Sequence, residues 1–329
     1  MEHAGIPYAL MSAQGLAPLL QDPSVNEIMV VGEAGVWVER QGEAPRRTSL
    51  RLSRLQIDAM VANLANISHR EADLLGHGGH AVISARLPGF RVEAQLPPIA
   101  VEGPYVTIRR HQLHAQALAD YVARGELPVR VAGLLREAVR ERQNHLVVGG
   151  TSTGKTTFLN SLIREIDPGE VLVLIETVPE LIVAHENVRR LEADNEQGCT
   201  VQRLLKSALR SRPDRILVGE VRGGEAFDFM DAANTGHPGA MGSLHANSAL
   251  EGLDRLENLV LEGRPALPLR VLRQRIGQTF QLIVHMDRAI RGGRSLRRVA
   301  EIVALEGFDA ATERYRTRRL YGRAADTEA

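Results

Sequence analysis

Residues 149–157, Gly149-Gly150-Thr151-Ser152-Thr153-Gly154-Lys155-Thr156-Thr157, restrict this chain more than any other stretch. Gly149, Gly154, Lys155 and Thr156 satisfy the G-x-x-x-x-G-K-[ST] spacing of a polyphosphate-binding loop in full. Glycines are needed because successive N–H groups must turn inward while phosphate oxygens approach the backbone. The apolar run His145–Val148 before the loop reads as a strand. Phe158, Leu159, Leu162, Ile163 and Ile166 after it recur at helix spacing. That helix points its N-terminus at the phosphates. Lys155 brings a point charge to the β/γ-phosphates and Thr156 a hydroxyl for Mg²⁺. Ordinary residue frequencies place the four fixed positions together by accident in roughly one chain in a hundred of this length, and the strand-before, helix-after order lowers that further.

The remaining chemistry needs a sheet edge. Apolar runs at 145–148, 171–175 and 215–218 alternate with helical segments, the pattern of a parallel sheet buried on both faces. Such sheets bind ligands beyond the carboxyl ends of their strands. Glu176 follows the second run, and Gly219-Glu220 the third. Either acid can hold the metal, directly or through water, or deprotonate the attacking water; Glu180 has a weaker claim. Farther on, His237 follows a helix stopped at Gly236 and Pro238, and His245 follows a short strand. Lone histidines are most often structural, but one of these could hydrogen-bond near the γ-phosphate.

Before residue 115 the rhythm differs. Residues 28–38 read as two short strands around a glycine turn, and 80–86, 90–96 and 105–110 as further strands. Ser53 caps a helix whose Ile57, Met60, Val61 and Leu64 share one face. The expected organisation is therefore a smaller mixed α+β domain over 1–116, a connection over 117–130 containing Gly125 and Pro128, and an α/β RecA-like P-loop domain with a mainly parallel sheet over 131–329.

Bulk properties narrow the partners. The 329 residues carry 40 Lys plus Arg against 40 Asp plus Glu, which disfavours a dedicated nucleic-acid binder. The one cysteine, Cys199, excludes an internal disulfide and a Cys-rich zinc module and points to a reducing compartment. No apolar run reaches the ~20 residues of a spanning helix, and the N-terminus lacks the pattern of a secretory signal.

The order of motifs is that of a known family. The phosphate loop, the IE…PEL segment at 175–181, RPDRILVGEVRG at 212–223 and TGH…LHAN at 235–247 together resemble the traffic ATPases of type II and type IV secretion systems. DPSVNEIMV at 22–30, FRVEAQLPP at 90–98 and VTIRR at 106–110 are similar to the family's N-terminal domain, and RIGQTFQLIVHMDR at 275–288 to its C-terminal end. The compact length and VVGGTSTGKTT look most like the TrbB-type ATPases of conjugative transfer. The resemblance implies that Glu220 is the Walker B glutamate and that Glu176 belongs to an acidic box, where Thr177 stands in place of the usual second acid. It also implies that His237 and His245 form a histidine box. Arg91, Arg109 and Arg110 would approach the nucleotide, as would Arg222, with Arg86 a further candidate. It further implies a homo-oligomer, in relatives a hexameric ring, that uses ATP and Mg²⁺. That ring would sit peripherally at the cytoplasmic face of the inner membrane, serving membrane-embedded secretion or conjugation components. Two alternatives stay open: a RecA-like nucleic-acid translocase using the arginine-rich 288–298 and 314–323, and a non-catalytic nucleotide-binding regulator. A pilus-assembly or retraction ATPase is a variant of the first reading.

Overall fold

A computed structural model of the chain describes residues 10, 13, 15–68, 80–110, 115–194, 197–291 and 294–322. It divides into two units, Met1–Leu113 with Ile290–Leu296, and His114–Ala289 with Arg297–Ala329.

In the first unit, α1 (Ala17–Gln21), β1 (Val25–Val31), β2 (Gly35–Arg40), β3 (Arg46–Arg47), α2 (Arg54–Ile67), β4 (Val82–Leu87), β5 (Phe90–Gln95) and β6 (Tyr105–Arg110) follow one another. The strands form a sheet ordered β3-β2-β1-β6-β5-β4, antiparallel at every pair. Strict alternation drives it: in β4, Ile83, Ala85 and Leu87 are buried and the residues between them exposed. Ile57, Met60, Val61 and Leu64 of α2 share a core with them. Ser53 and Gln56 close a capping box at the start of α2, satisfying N–H groups that the helix itself leaves unpaired.

The second unit runs α3 (Leu118–Ala123), α4 (Val129–Arg140), β7 (His145–Gly149), α5 (Lys155–Ile163), β8 (Leu172–Glu176), β9 (Val188–Glu192), α6 (Val201–Ala208) and β10 (Arg215–Val218). It continues with α7 (Ala226–Asn234), β11 (Met241–Leu244), α8 (Ala249–Gly263), α9 (Leu269–Thr279), β12 (Leu282–Arg291), β13 (Arg294–Asp309) and β14 (Arg314–Gly322). Its eight-stranded sheet is ordered β14-β13-β12-β7-β11-β10-β8-β9. From β12 to β9 every neighbour pair is parallel, while β13 and β14 pair antiparallel. Two cores divide each central strand by parity. Leu146, Val148, Val173 and Ile175 face one side with α6 to α9; Val147, Leu172 and Leu174 face the other with α3 to α5. This is why those strands read as unbroken apolar runs.

The segment expected to connect the domains has a different place. Leu118, Tyr121 and Leu127 are buried in the second core, and the Tyr121 ring meets Phe158 edge-on at 5.3 Å between centroids. Burial of these three side chains makes 118–140 part of the second unit.

At the amino end of the parallel strands Asn144 and Arg215 pair several buried polar groups. Asn144 donates to the carbonyls of Thr279 (2.6 Å) and Ala233 (3.3 Å) and accepts from the N–H groups of Gly239 and Ala240 (both 2.8 Å). Arg215, fully buried, clasps Glu170 through Nε (2.8 Å) and Nη2 (2.7 Å). His145 is also fully buried; its Nδ1 donates to Gln143 O at 2.6 Å, and its Nε2 has no partner among the described residues. Burial, the largest cause, pushes its pKa down to about 4. The unfolded chain therefore takes up a proton between its ordinary value of 6.5 and about 4 that the folded chain refuses. Stability from this group is complete above pH 6.5 and falls as the pH drops towards 4, by about 3 kcal/mol in all. Urea unfolding of wild type and His145→Gln across that range should show a shallower pH slope in the variant; equal slopes would remove His145 as the cause.

Candidate functional site

β7 delivers the phosphate loop to the carboxyl edge of the sheet, and close packing holds it there. A Cβ on Gly149 would lie 2.5 Å from the Met286 carbonyl oxygen and 2.6 Å from Thr153 Oγ1. Ser152 and Gly154 take left-handed backbone at φ 58° and 93°, the turn that points N–H groups into a concavity. Thr153 Oγ1 donates to Gly150 O at 2.9 Å. Thr151 and Thr157 flank this turn, and Thr156 stands in the first turn of α5. Lys155 folds back over the loop, its Nζ donating to Gly149 O (3.0 Å) and Gly150 O (2.9 Å). Burial holds the ammonium pKa below its ordinary value, with nearby Glu220 acting in the opposite sense.

The neighbouring strand ends converge on that ammonium. His245, directly after β11, places Nδ1 3.4 Å from Lys155 Nζ. A nitrogen facing a cation must present its lone pair, so the ring proton sits on Nε2. Nε2 stands 2.7 Å from Glu220 Oε1, a close contact not aligned as a hydrogen bond. Burial, then Lys155, lower the pKa of His245. Glu220 Oε2 accepts from Arg222 Nε at 2.7 Å and also from its Nη2. β11 pins the segment from both sides: Ser243 Oγ donates to Gly219 O (2.6 Å), and the Val221 N–H donates to Ser243 O (2.8 Å).

Glu176 is differently employed. It is buried at the end of β8, where Oε1 accepts the N–H groups of Glu180 (2.8 Å) and Leu181 (2.9 Å). Burial raises its pKa and those two donors oppose the rise. Asn160 of α5 holds the same turn, donating to Glu180 O (3.0 Å) and accepting from Ile182 N (2.9 Å). The two carboxylates are thus employed differently: Glu176 Oε1 folds a turn, while Glu220 Oε1 is buried beside His245 Nε2 and accepts no aligned hydrogen bond among the described residues.

Two expected site residues stand elsewhere. His237 precedes β11, whose first residue, Met241, pairs with His145 at the start of β7, while Leu244 pairs with Val148 beside the loop. The length of β11 therefore separates the histidines, and His237 lies at the sheet edge away from Lys155. Arg110 is bound within the first unit. It donates to the carbonyls of Val25 (2.8 Å), Leu20 (2.6 Å) and Asp22 (2.9 Å), and its guanidinium lies 4.8 Å from the centre of the Phe90 ring. Arg222, expected at the nucleotide, binds Glu220. In the first unit Arg86, Arg91 and Arg109 stand directly opposite one another across β4, β5 and β6, and Glu27 of β1 ends the row. Like charges so placed destabilise a sheet, and Glu27 offsets them at the Arg109 end.

Sequence reasoning missed Arg297. Its Cδ lies 3.4 Å from where a Cβ on Gly154 would be, so its stem packs on the phosphate loop. It belongs to an arginine-rich run that reads as a solvated face, and only the pairing of β13 behind β12 carries it inward.

A left-handed glycine turn between a central parallel strand and a helix, with a glutamate from the end of the strand next but one brought towards the turn's lysine, defines a P-loop nucleotide-binding fold of the RecA type. The chain matches the type II/IV secretion system protein model over residues 11–319 and belongs to that family. It is 37% identical over 298 residues to the conjugal transfer protein TrbB of Rhizobium radiobacter, covering 89% of this chain and 87% of that protein. It is 32% identical over 320 residues to the type IV secretion system protein VirB11 of Brucella suis biovar 1, covering 87% of each. Its fold is shared with the ATPase DotB of Legionella pneumophila, at TM-score 0.64 and 20% identity over 92% of this chain and 83% of that one.

Arg110→Ala should lower stability by about 1–3 kcal/mol, the scale for losing a charged donor to several carbonyls. It should leave ATP turnover per folded molecule unchanged. Urea titration with a turnover assay checks both, and a turnover defect in fully folded protein would return Arg110 to the nucleotide.

Proposed function

We propose that this chain is a Mg²⁺-dependent ATPase that powers a type IV secretion or conjugative transfer apparatus. In this reading it works as a ring-forming homo-oligomer at the cytoplasmic face of the inner membrane. The observation that carries the catalytic part is the line of contacts from Lys155 through His245 to Glu220 at the mouth of the phosphate loop. The names of the TrbB and VirB11 relatives support the apparatus.

In this reading the Gly149–Thr157 backbone and Lys155 bind the β- and γ-phosphates. Glu220 Oε1 has acceptor capacity to spare and orients the attacking water. As the water oxygen bonds to the γ-phosphorus, the bond to the bridging oxygen breaks, giving ADP and phosphate, and the water proton passes to Glu220. His245 holds the carboxylate in register with Lys155, and Glu176 keeps the adjoining turn in shape. The Thr156 hydroxyl and Glu220, the latter through water, fit Mg²⁺, which when bound neutralises charge on the phosphate oxygens. The cationic row of Arg86, Arg91 and Arg109 supports a part for the first unit in turnover, and Arg297 a part in holding phosphate.

Lys155→Ala should abolish turnover and keep the fold. Glu220→Gln should still bind ATP but hydrolyse it at least ~100-fold more slowly, the scale of a lost acid–base group. Normal hydrolysis by the glutamine variant would overturn the assignment. Arg91→Ala and Arg109→Ala should each slow turnover at saturating ATP, and wild-type rates in both would sink the role of the cationic row. The translocase reading gains only if single-stranded DNA raises turnover with a steep loss as salt increases.

A further inference from the structure

The second unit holds an apolar pocket of about 530 Å³. Phe227 of α7 forms one wall, Val271 and Arg275 of α9 another, and the connection Gly263–Pro268 closes the end. Val271 and Arg275, four residues apart, share a face of α9. Pro265 and Pro268 each fix one φ of the connection. Val271 remains 44% exposed, whereas Leu272 beside it is wholly buried. Core packing therefore claims Leu272 and leaves Val271 to the surface.

The rim is charged in one sense. The Arg264 guanidinium lies 4.7 Å from the centre of the Phe227 ring and that of Arg275 lies 5.6 Å from it. Arg264 donates to the carbonyl of Gly263 at 3.1 Å. Neither arginine has a carboxylate partner among the described residues. Other surface arginines of the same unit do, as in Arg318–Glu306 at 2.6 Å and Arg136–Glu165 at 2.8 Å. An apolar floor under two cations is complementary to an apolar group attached to an anion.

The floor also touches the segment that carries Glu220. A Cβ on Gly263 would lie 2.6 Å from the Gly224 carbonyl oxygen, and one on Gly224 would lie 2.7 Å from Gly263 Cα. The two backbones are packed with no room for a side chain. Two residues before Gly224, Arg222 binds Glu220. One residue after it, Glu225 accepts the N–H groups of Arg222 (2.8 Å) and Gly223 (3.0 Å). Phe227, in the first turn of α7, is the other wall. The pocket thus grips the 220–227 segment at Gly224 and at Phe227, and a displacement of Gly263 moves Gly224.

We propose that this pocket docks a peptide segment of another protein, one presenting an apolar side chain beside a carboxylate, and that docking alters the rate at which the Glu220 segment works. The apolar side chain fills the space between Phe227 and Val271, and the carboxylate pairs with Arg264 and Arg275. The binding half stands whether or not the chain hydrolyses ATP; the coupling half rests on that reading.

The probe is a random heptapeptide library displayed on phage, selected on the immobilised full chain with counter-selection on Val271→Asp. Enriched peptides should combine an aliphatic or aromatic residue with a neighbouring Asp or Glu. Synthesised, they should bind wild type about tenfold or more tightly than Val271→Asp or Arg275→Glu. They should also change ATP turnover about twofold or more in wild type alone. Val271 is exposed and Arg275 half-buried, so the urea midpoint of Val271→Asp should match wild type, and the affinities of both variants are compared on fully folded protein. No enrichment, enrichment without carboxylates, or equal affinity for both variants would overturn the docking. Tight binding with unchanged turnover, in a wild-type chain that hydrolyses ATP, would overturn the coupling. Loss of self-association in Val271→Asp by size exclusion would make the surface a contact between copies and end the proposal.

Discussion

At Gly149 the phosphate loop leaves the sheet under a steric constraint, because the Met286 carbonyl oxygen occupies the space a Cβ would need, 2.5 Å away. Gly149 pairs with Met286 in the β7–β12 register, so β12 presses the loop from one side. On the other side β11 runs parallel to β7 and ends one residue before His245. A loop confined by both neighbours has little freedom to relax. Its carbonyls at Gly149 and Gly150 face the Lys155 ammonium at 3.0 and 2.9 Å, and the helix start is thereby aimed at the same point as the strand ends.

Charge at that point is set by placement rather than composition. The chain is formally neutral, yet Lys155, His245 and Arg222 surround one carboxylate, Glu220. The other nearby acid is withdrawn from this balance, since Glu176 is buried and spends Oε1 on two backbone donors. Thr177 supplies no further negative charge. A polyanion therefore meets a surplus of fixed donors, and preorganised donors in a desolvated site cost no rearrangement when charge develops. The same burial that depresses the pKa of Lys155 strengthens its field on whatever lies in the loop.

Much of this was legible in the residue order. The loop, the strand tips bearing Glu176 and Glu220, and the alternating strands of the first unit are local patterns, and the hydrophobic period reports them directly. What local pattern missed was tertiary. Leu118 and Tyr121 read as connector until Phe158 supplies the surface that buries them. β14 reads as a solvated arginine run because an edge strand needs no apolar alternation on its open side. His237 and His245 look like partners in sequence, since eight residues say nothing about the strand between them. Arg110 follows Arg109 by one residue, and in a strand one residue means the opposite face. It consequently falls among backbone carbonyls while Arg109 joins the charged row. Arg297 needs the whole order of the sheet before it can be placed.

β11 is the element that makes one site out of two strand ends. It lies between β7 and β10, so nothing from β10 reaches the phosphate loop except across it. Ser243 binds the carbonyl of Gly219 and the N–H of Val221, clamping Glu220 from either side through one residue. The next position but one, His245, touches Lys155 and Glu220 together. His245 thus stands between the Lys155 ammonium, 3.4 Å away, and Glu220, 2.7 Å away. The Glu220 segment in turn abuts Gly263. Contacts thus follow one another from the phosphate loop through His245 and the Glu220 segment to Gly263 at the end of α8.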